Sequence, residues 1–133
     1  MKSTTLTRLF SLLSLILIAW GIYFTAWGFE FFAEVGILPA ESLVSWEGAI
    51  YGSMMIGWGV TLFIVGRIAI QRNDAETLKA ILLGLSIWLI LESVFSAYLK
   101  VWFNIGVALG VLALFGVVLR QAISVSSTKS KRS

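Results

Sequence analysis

The sequence predicts an all-α integral membrane protein, a four-helix bundle running up-down-up-down with both termini in the cytoplasm. Three observations predict it. Of the 133 residues, 59% are hydrophobic, at a mean hydropathy of +0.94; a soluble domain of this size has nowhere to bury so much apolar surface. Only 13% are charged, and these gather between long apolar runs. Of the ten lysines and arginines, Lys2, Arg8, Arg67, Arg72, Lys79, Arg120, Lys129, Lys131 and Arg132 fall on the side that holds both termini, which leaves Lys100 alone opposite. Because basic loops stay cytoplasmic, the expected location is the inner (plasma) membrane, crossed several times.

Residues 1 to 8 are short and basic, and an apolar run starts at Leu9. That beginning is like a signal peptide, but the run continues through Phe32, longer than the usual 7 to 15 residue core, with no clean cleavage site after it. The first span is therefore expected over residues 9 to 32 and kept in the mature protein. Trp20, Phe24, Trp27 and Phe31 form an aromatic stripe, with Gly21, Thr25 and Gly28 beside it as a small one. Small residues let helices approach closely in lipid, so Gly21 to Gly28 is the expected packing face.

Residues 33 to 47 are expected to form the outer loop, at an end made acidic by Glu30, Glu34, Glu41 and Glu47, with Pro39 suited to a turn and Trp46 to an interfacial anchor. The second span is expected over 48 to 67. Gly48, Gly52, Gly59 and Gly66 recur at intervals of four, seven and seven, with Met55 and Leu62 on the same face, which is the pattern of a tight helix seam. Its partner is either another helix of this chain or a second copy. An inner loop then runs from Arg67 to Lys79, where Asn73 and Glu76 read as a capping box opening the third helix.

The third span is expected over 79 to 98. It carries Glu92, an acid about six residues, or roughly 9 Å, from the outer end. A charged side chain at mid-span costs about 2.5 to 3.5 kcal/mol, and less when off centre. Gly84, Trp88, Glu92 and Ser96 recur every four residues, so they share one side of the helix, and that polar, small side should face protein. A tight turn at Lys100 leads into the fourth span, 101 to 120, with Trp102 at the interface and Gly106 and Gly110 as a second GxxxG pair. Residues 121 to 133 form a basic tail of disordered composition.

Depth along the helices, at about 1.5 Å per residue, sets Tyr23, Tyr51, Ser53, Glu92, Ser93 and Asn104 in one layer. Trp20, Trp58 and Trp88 coincide near the midplane, away from the usual interfacial belt of tryptophan. Together they outline a small aromatic-walled pocket with Glu92 on its wall, a ligand or ion site built from Glu92, Tyr23, Tyr51, Asn104, Trp20, Trp58 and Trp88. The bland alternative is three bulky rings filling space opposite glycines while the polar layer satisfies itself. With no cation in that layer, hydrogen-bond donors are the remaining way to offset burial of the acid, and Tyr23, Tyr51 or Asn104 should reach it.

Composition excludes much else. Cysteine and histidine are absent, which removes disulfides, thiolate metal sites, CxxC redox chemistry and the commonest general base. The net charge of +3 is too small and too segregated for nucleic acid. No metal site, cofactor or catalytic residue is expected, since only Glu92 could serve as a base and nothing accompanies it.

The segment WEGAIYGSMMIGWGVTLFIVGR, Trp46 to Arg67, and the pattern W-x-x-x-E-S-x-x-S from Trp88 to Ser96 resemble small four-helix bacterial membrane proteins of the DoxX-like group. The resemblance covers about half the chain and implies a four-helix bundle. Some members of that group are subunits of membrane oxidoreductases. It carries over no catalytic residue. Small multidrug transporters also have four short helices and one membrane glutamate, but theirs is in the first helix and this one is in the third. Two functions are thus expected as alternatives. One is a non-enzymatic binding or accessory subunit with a lipid-like ligand near Glu92. The other is a small proton-coupled transporter or channel with Glu92 as its protonatable site. The expected partners are membrane lipids and either a second copy or a larger membrane complex.

Overall fold

A computed structural model of the chain describes residues 3–27 and 45–130, all in helices and the tight turns that join them. Helix α1 is Ser3–Trp27. Helix α2, Ser45–Thr61, passes through a π-helical turn at Leu62–Gly66 into α3, Arg67–Arg72. Helix α4 is Ala75–Tyr98 and α5 is Trp102–Ser130. Among the described residues four stretches are long and apolar enough to cross a membrane: Thr4–Ala26, Ile50–Arg72, Ala75–Tyr98 and Trp102–Ser127. The residues between α1 and α2, with Gly28, Glu30, Glu34, Pro39 and Glu41, lie outside the described ones, as do the side-chain surroundings of Trp46, Glu47 and Gly48 and the last three residues of the tail.

The helices run further than apolar content alone suggests. The expected inner loop contracts to Asn73 and Asp74, because α3 extends the second span to Arg72 and α4 begins at Ala75. Here the expected capping box is corrected. Asn73 has φ 55° and terminates α3. Its N–H donates to the carbonyl of Ile70 at 3.3 Å, and the N–H of Asp74 donates to that of Ala69 at 2.9 Å. This is a Schellman closure, which requires one left-handed residue, and asparagine tolerates that conformation better than most. With Asn73 consumed, the cap of α4 falls to Asp74, whose carboxylate accepts from the Thr77 N–H at 3.1 Å and from the Thr77 hydroxyl. Glu76 instead pairs with Lys79 at 2.7 Å, a solvent-exposed ion pair.

The turn between α4 and α5 repeats the device. Lys100 has φ 61°, its N–H donates to the Ala97 carbonyl at 3.1 Å, and that of Val101 donates to the Ser96 carbonyl at 2.8 Å. Two Schellman closures with non-glycine residues thus reverse the chain at both ends of α4. The π turn has a local antecedent: the Thr61 hydroxyl donates back to the Gly57 carbonyl at 3.0 Å, a bond that competes for a carbonyl of the helix ladder just before the turn.

The chain divides into two compact units, Met1–Leu13 with Leu62–Ser133, and Ser14–Thr61. In the first, Leu6, Phe10, Leu62, Leu78, Leu85 and Leu119 are fully buried. The Phe10 ring meets Phe115 edge-on, 5.4 Å between centroids, and lies directly against Gly66, where a Cβ would collide with it. In the second, the glycine seam meets α1. A Cβ on Gly52 would fall 2.5 Å from Gly21 O and Thr25 N, and one on Gly59 would fall 2.6 Å from the Ile18 side chain. The seam therefore has its partner within this chain. Gly106 and Gly110 are different, as a Cβ on either would meet nothing within 4 Å.

Candidate functional site

The α4–α5 hairpin builds one polar point in an apolar span. One turn of α4 separates Glu92 from Ser96, so both side chains leave the same side of the helix. The closure at Lys100 then returns the chain at once, and Asn104 comes round in the first turn of α5. Its amide nitrogen donates to Glu92 Oε1 at 2.9 Å and to Ser96 Oγ at 2.9 Å. A carboxyl oxygen and a hydroxyl oxygen both accept, and an amide NH2 carries two donors, so this orientation of Asn104 suits both neighbours. Ser96 is buried, Glu92 and Asn104 are half-buried, and Glu92 Oε2 is shut off from solvent. A carboxylate met by a donor twelve residues away in sequence ties the two helices together just inside their turn.

Other hydroxyls of the expected layer are used locally. Ser93 Oγ donates to the Leu89 carbonyl at 2.7 Å and Ser53 Oγ to the Ile50 carbonyl at 2.8 Å. Tyr23 and Tyr51 belong to the other unit, where both pack on Phe24. Their centroids are 5.7 and 5.8 Å from its ring, each near edge-on. Trp20 joins this cluster, stacked on Tyr23 at 6.0 Å and edge-on to Phe24 at 5.5 Å. Trp58 is in the same unit, 39% exposed, whereas Trp88 is in the hairpin and half-buried. Of the seven residues named from the sequence, Glu92 and Asn104 pair on the hairpin, and Trp20, Tyr23 and Tyr51 group around Phe24. Ser96, which the sequence set on the Glu92 face without naming it in the site, completes the pair.

Outside the spans, the Asp74 carboxyl is held below its ordinary value by the Thr77 hydroxyl first and the Thr77 N–H second. Among the described residues no group of three or more His, Cys, Asp or Glu could hold a metal ion. No protein-family model, curated protein or solved structure matches the chain.

Proposed function

We propose that the chain is a multi-pass protein of the inner membrane, a four-helix bundle with both termini cytoplasmic, that acts as a binding or accessory subunit without chemistry of its own. The observation that carries this reading is the Asn104 amide bridging Glu92 and Ser96 inside an apolar span. Such a pair gives an apolar surface one fixed polar point, which is what a lipid-like ligand or a partner helix needs for orientation. Around it the hairpin presents large apolar groups outward, among them Phe95 at 64%, Tyr98 at 83% and Trp102 at 67% exposed, a surface suited to lipid or to other helices. The likeness of Trp46 to Arg67 and of Trp88 to Ser96 to DoxX-like proteins supports a subunit role by comparison.

A second reading is kept for one observation. Glu92 sits in an apolar span with Oε2 shut off from solvent, the setting of a protonatable group in a proton-coupled transporter or channel. Reconstitution in proteoliposomes separates the two. The subunit reading predicts no electrogenic flux from the purified chain and co-purification with a fixed larger partner. A proton-driven flux abolished by Glu92→Gln would replace it with transport.

A further inference from the structure

On the flank of the hairpin two grooves run between α4 and α5. One, of about 350 Å³, is lined by Leu82, Ser86, Leu112, Gly116 and Arg120 among others. The next, of about 270 Å³, continues from Leu112 to Ala97 and Ala108. Leu112 lines both, so they form one track along the helices. From Arg120 to Ala108 the track spans twelve residues of α5, about 18 Å, close to one leaflet of a hydrocarbon core about 30 Å thick. Its walls offer little polarity, because the Ser86 and Ser93 hydroxyls are both turned onto their own helix, bonding the Leu82 and Leu89 carbonyls at 2.8 and 2.7 Å. At one end stands a single cation. Arg120 is exposed and has no carboxylate partner among the described residues, although it belongs to an apolar span.

We propose that this track holds one anionic membrane phospholipid, its phosphate on the Arg120 guanidinium and one acyl chain along the groove past Gly116 and Leu112. The guanidinium fork suits a phosphate bidentately, and an anionic headgroup compensates a cation at the edge of the hydrocarbon. The length of the track, its apolar wall and one cation at its end match a lipid and not a polar peptide. This rests on the membrane reading above but on no role for Glu92.

The test reconstitutes the full chain into phosphatidylcholine vesicles with about one part in five phosphatidylglycerol, then counts retained lipids by native mass spectrometry. Wild type should keep one phosphatidylglycerol per chain in preference to phosphatidylcholine. Arg120→Gln should lower that retention about fivefold, the effect of losing one basic group at a membrane surface. Gly116→Leu should lower it too with the charge intact, since a Cβ there enters open space in the track. Gly110→Leu, on the same helix but outside the track, should keep wild-type retention and show that α5 tolerates a leucine. Equal retention in Arg120→Gln or Gly116→Leu, or lipid-free dimers in place of a lipid adduct, would overturn the proposal. A chain that fails to insert into the vesicles at all would overturn the membrane reading with it.

Discussion

Glycine positions in α2 offer a sharp comparison, because two chemically identical substitutions in one helix should have opposite signs. A Cβ on Gly52 would lie 2.5 Å from Gly21 O, Thr25 N and Thr25 Oγ1, whereas ordinary contact begins at 3.4 Å. About 0.9 Å of extra separation (3.4 − 2.5) must be found, and two of the three atoms are backbone, so no side-chain rotation supplies it. Overpacking of this kind costs about 1–3 kcal/mol, offset by the roughly 1 kcal/mol by which alanine favours a helix over glycine. Gly52→Ala should therefore lose up to about 2 kcal/mol net. At Gly57 an added Cβ meets nothing within 4 Å, so Gly57→Ala should gain about 0.5–1 kcal/mol from propensity alone. Unfolding in mixed micelles, followed by tryptophan fluorescence with urea or dodecyl sulfate as denaturant, reads both. A Gly52→Ala protein stabilised as much as Gly57→Ala would refute the close approach of α1 and α2 at this glycine.

Lys100 sits at φ 61°, which costs a side-chain-bearing residue about 1–2 kcal/mol; Lys100→Gly should raise stability by about that much in the same assay, and a loss would mean the turn takes another form. The Asp74 carboxyl, lowered chiefly by the Thr77 hydroxyl, contributes stability that is present above the ordinary carboxylate range and lost as pH falls through its folded value. Thr77→Val should flatten that acid-side loss, measured as the change in stability between neutral pH and about pH 3; an unchanged acid limb would remove the role given to the hydroxyl. The chain has no native cysteine, so single cysteines report topology cleanly. Those at Ser3 and Ser130 should be protected from an impermeant thiol reagent in intact cells while one at Ser42 labels, and the reverse pattern would invert the orientation.

The parts of this fold that were legible in the sequence are those set by composition and spacing. Length and hydropathy mark four spans, and the recurrence of Gly52 and Gly59 marks a face where backbones meet, because only a missing side chain permits that approach. Spacing of four also sets Ser96 beside Glu92. What spacing could not decide is how a helix ends. Asn73 and Asp74 are both good caps, and the choice between them depends on the preceding helix needing a left-handed residue, which is a property of two helices together. Gly106 and Gly110 show the converse limit. Their spacing of four equals that of Gly48 and Gly52, but a Cβ added on either would meet nothing within 4 Å, and a GxxxG pair does not name its neighbour. The π turn at Leu62–Gly66 left no periodic signal, since one extra residue per turn is invisible to a pattern already apolar on every side.

A double-mutant cycle at Glu92 and Asn104, measured as unfolding free energy in mixed micelles, tests the central claim most directly. Glu92→Leu and Asn104→Leu each leave buried polar groups without their partner and should each cost about 1–3 kcal/mol. Removing both together should cost less than the sum, with a coupling of about 0.6–1.7 kcal/mol, the range for polar pairs between membrane helices. Additive losses would contradict the account, because they would mean that Asn104 does not hold the acid in the hairpin.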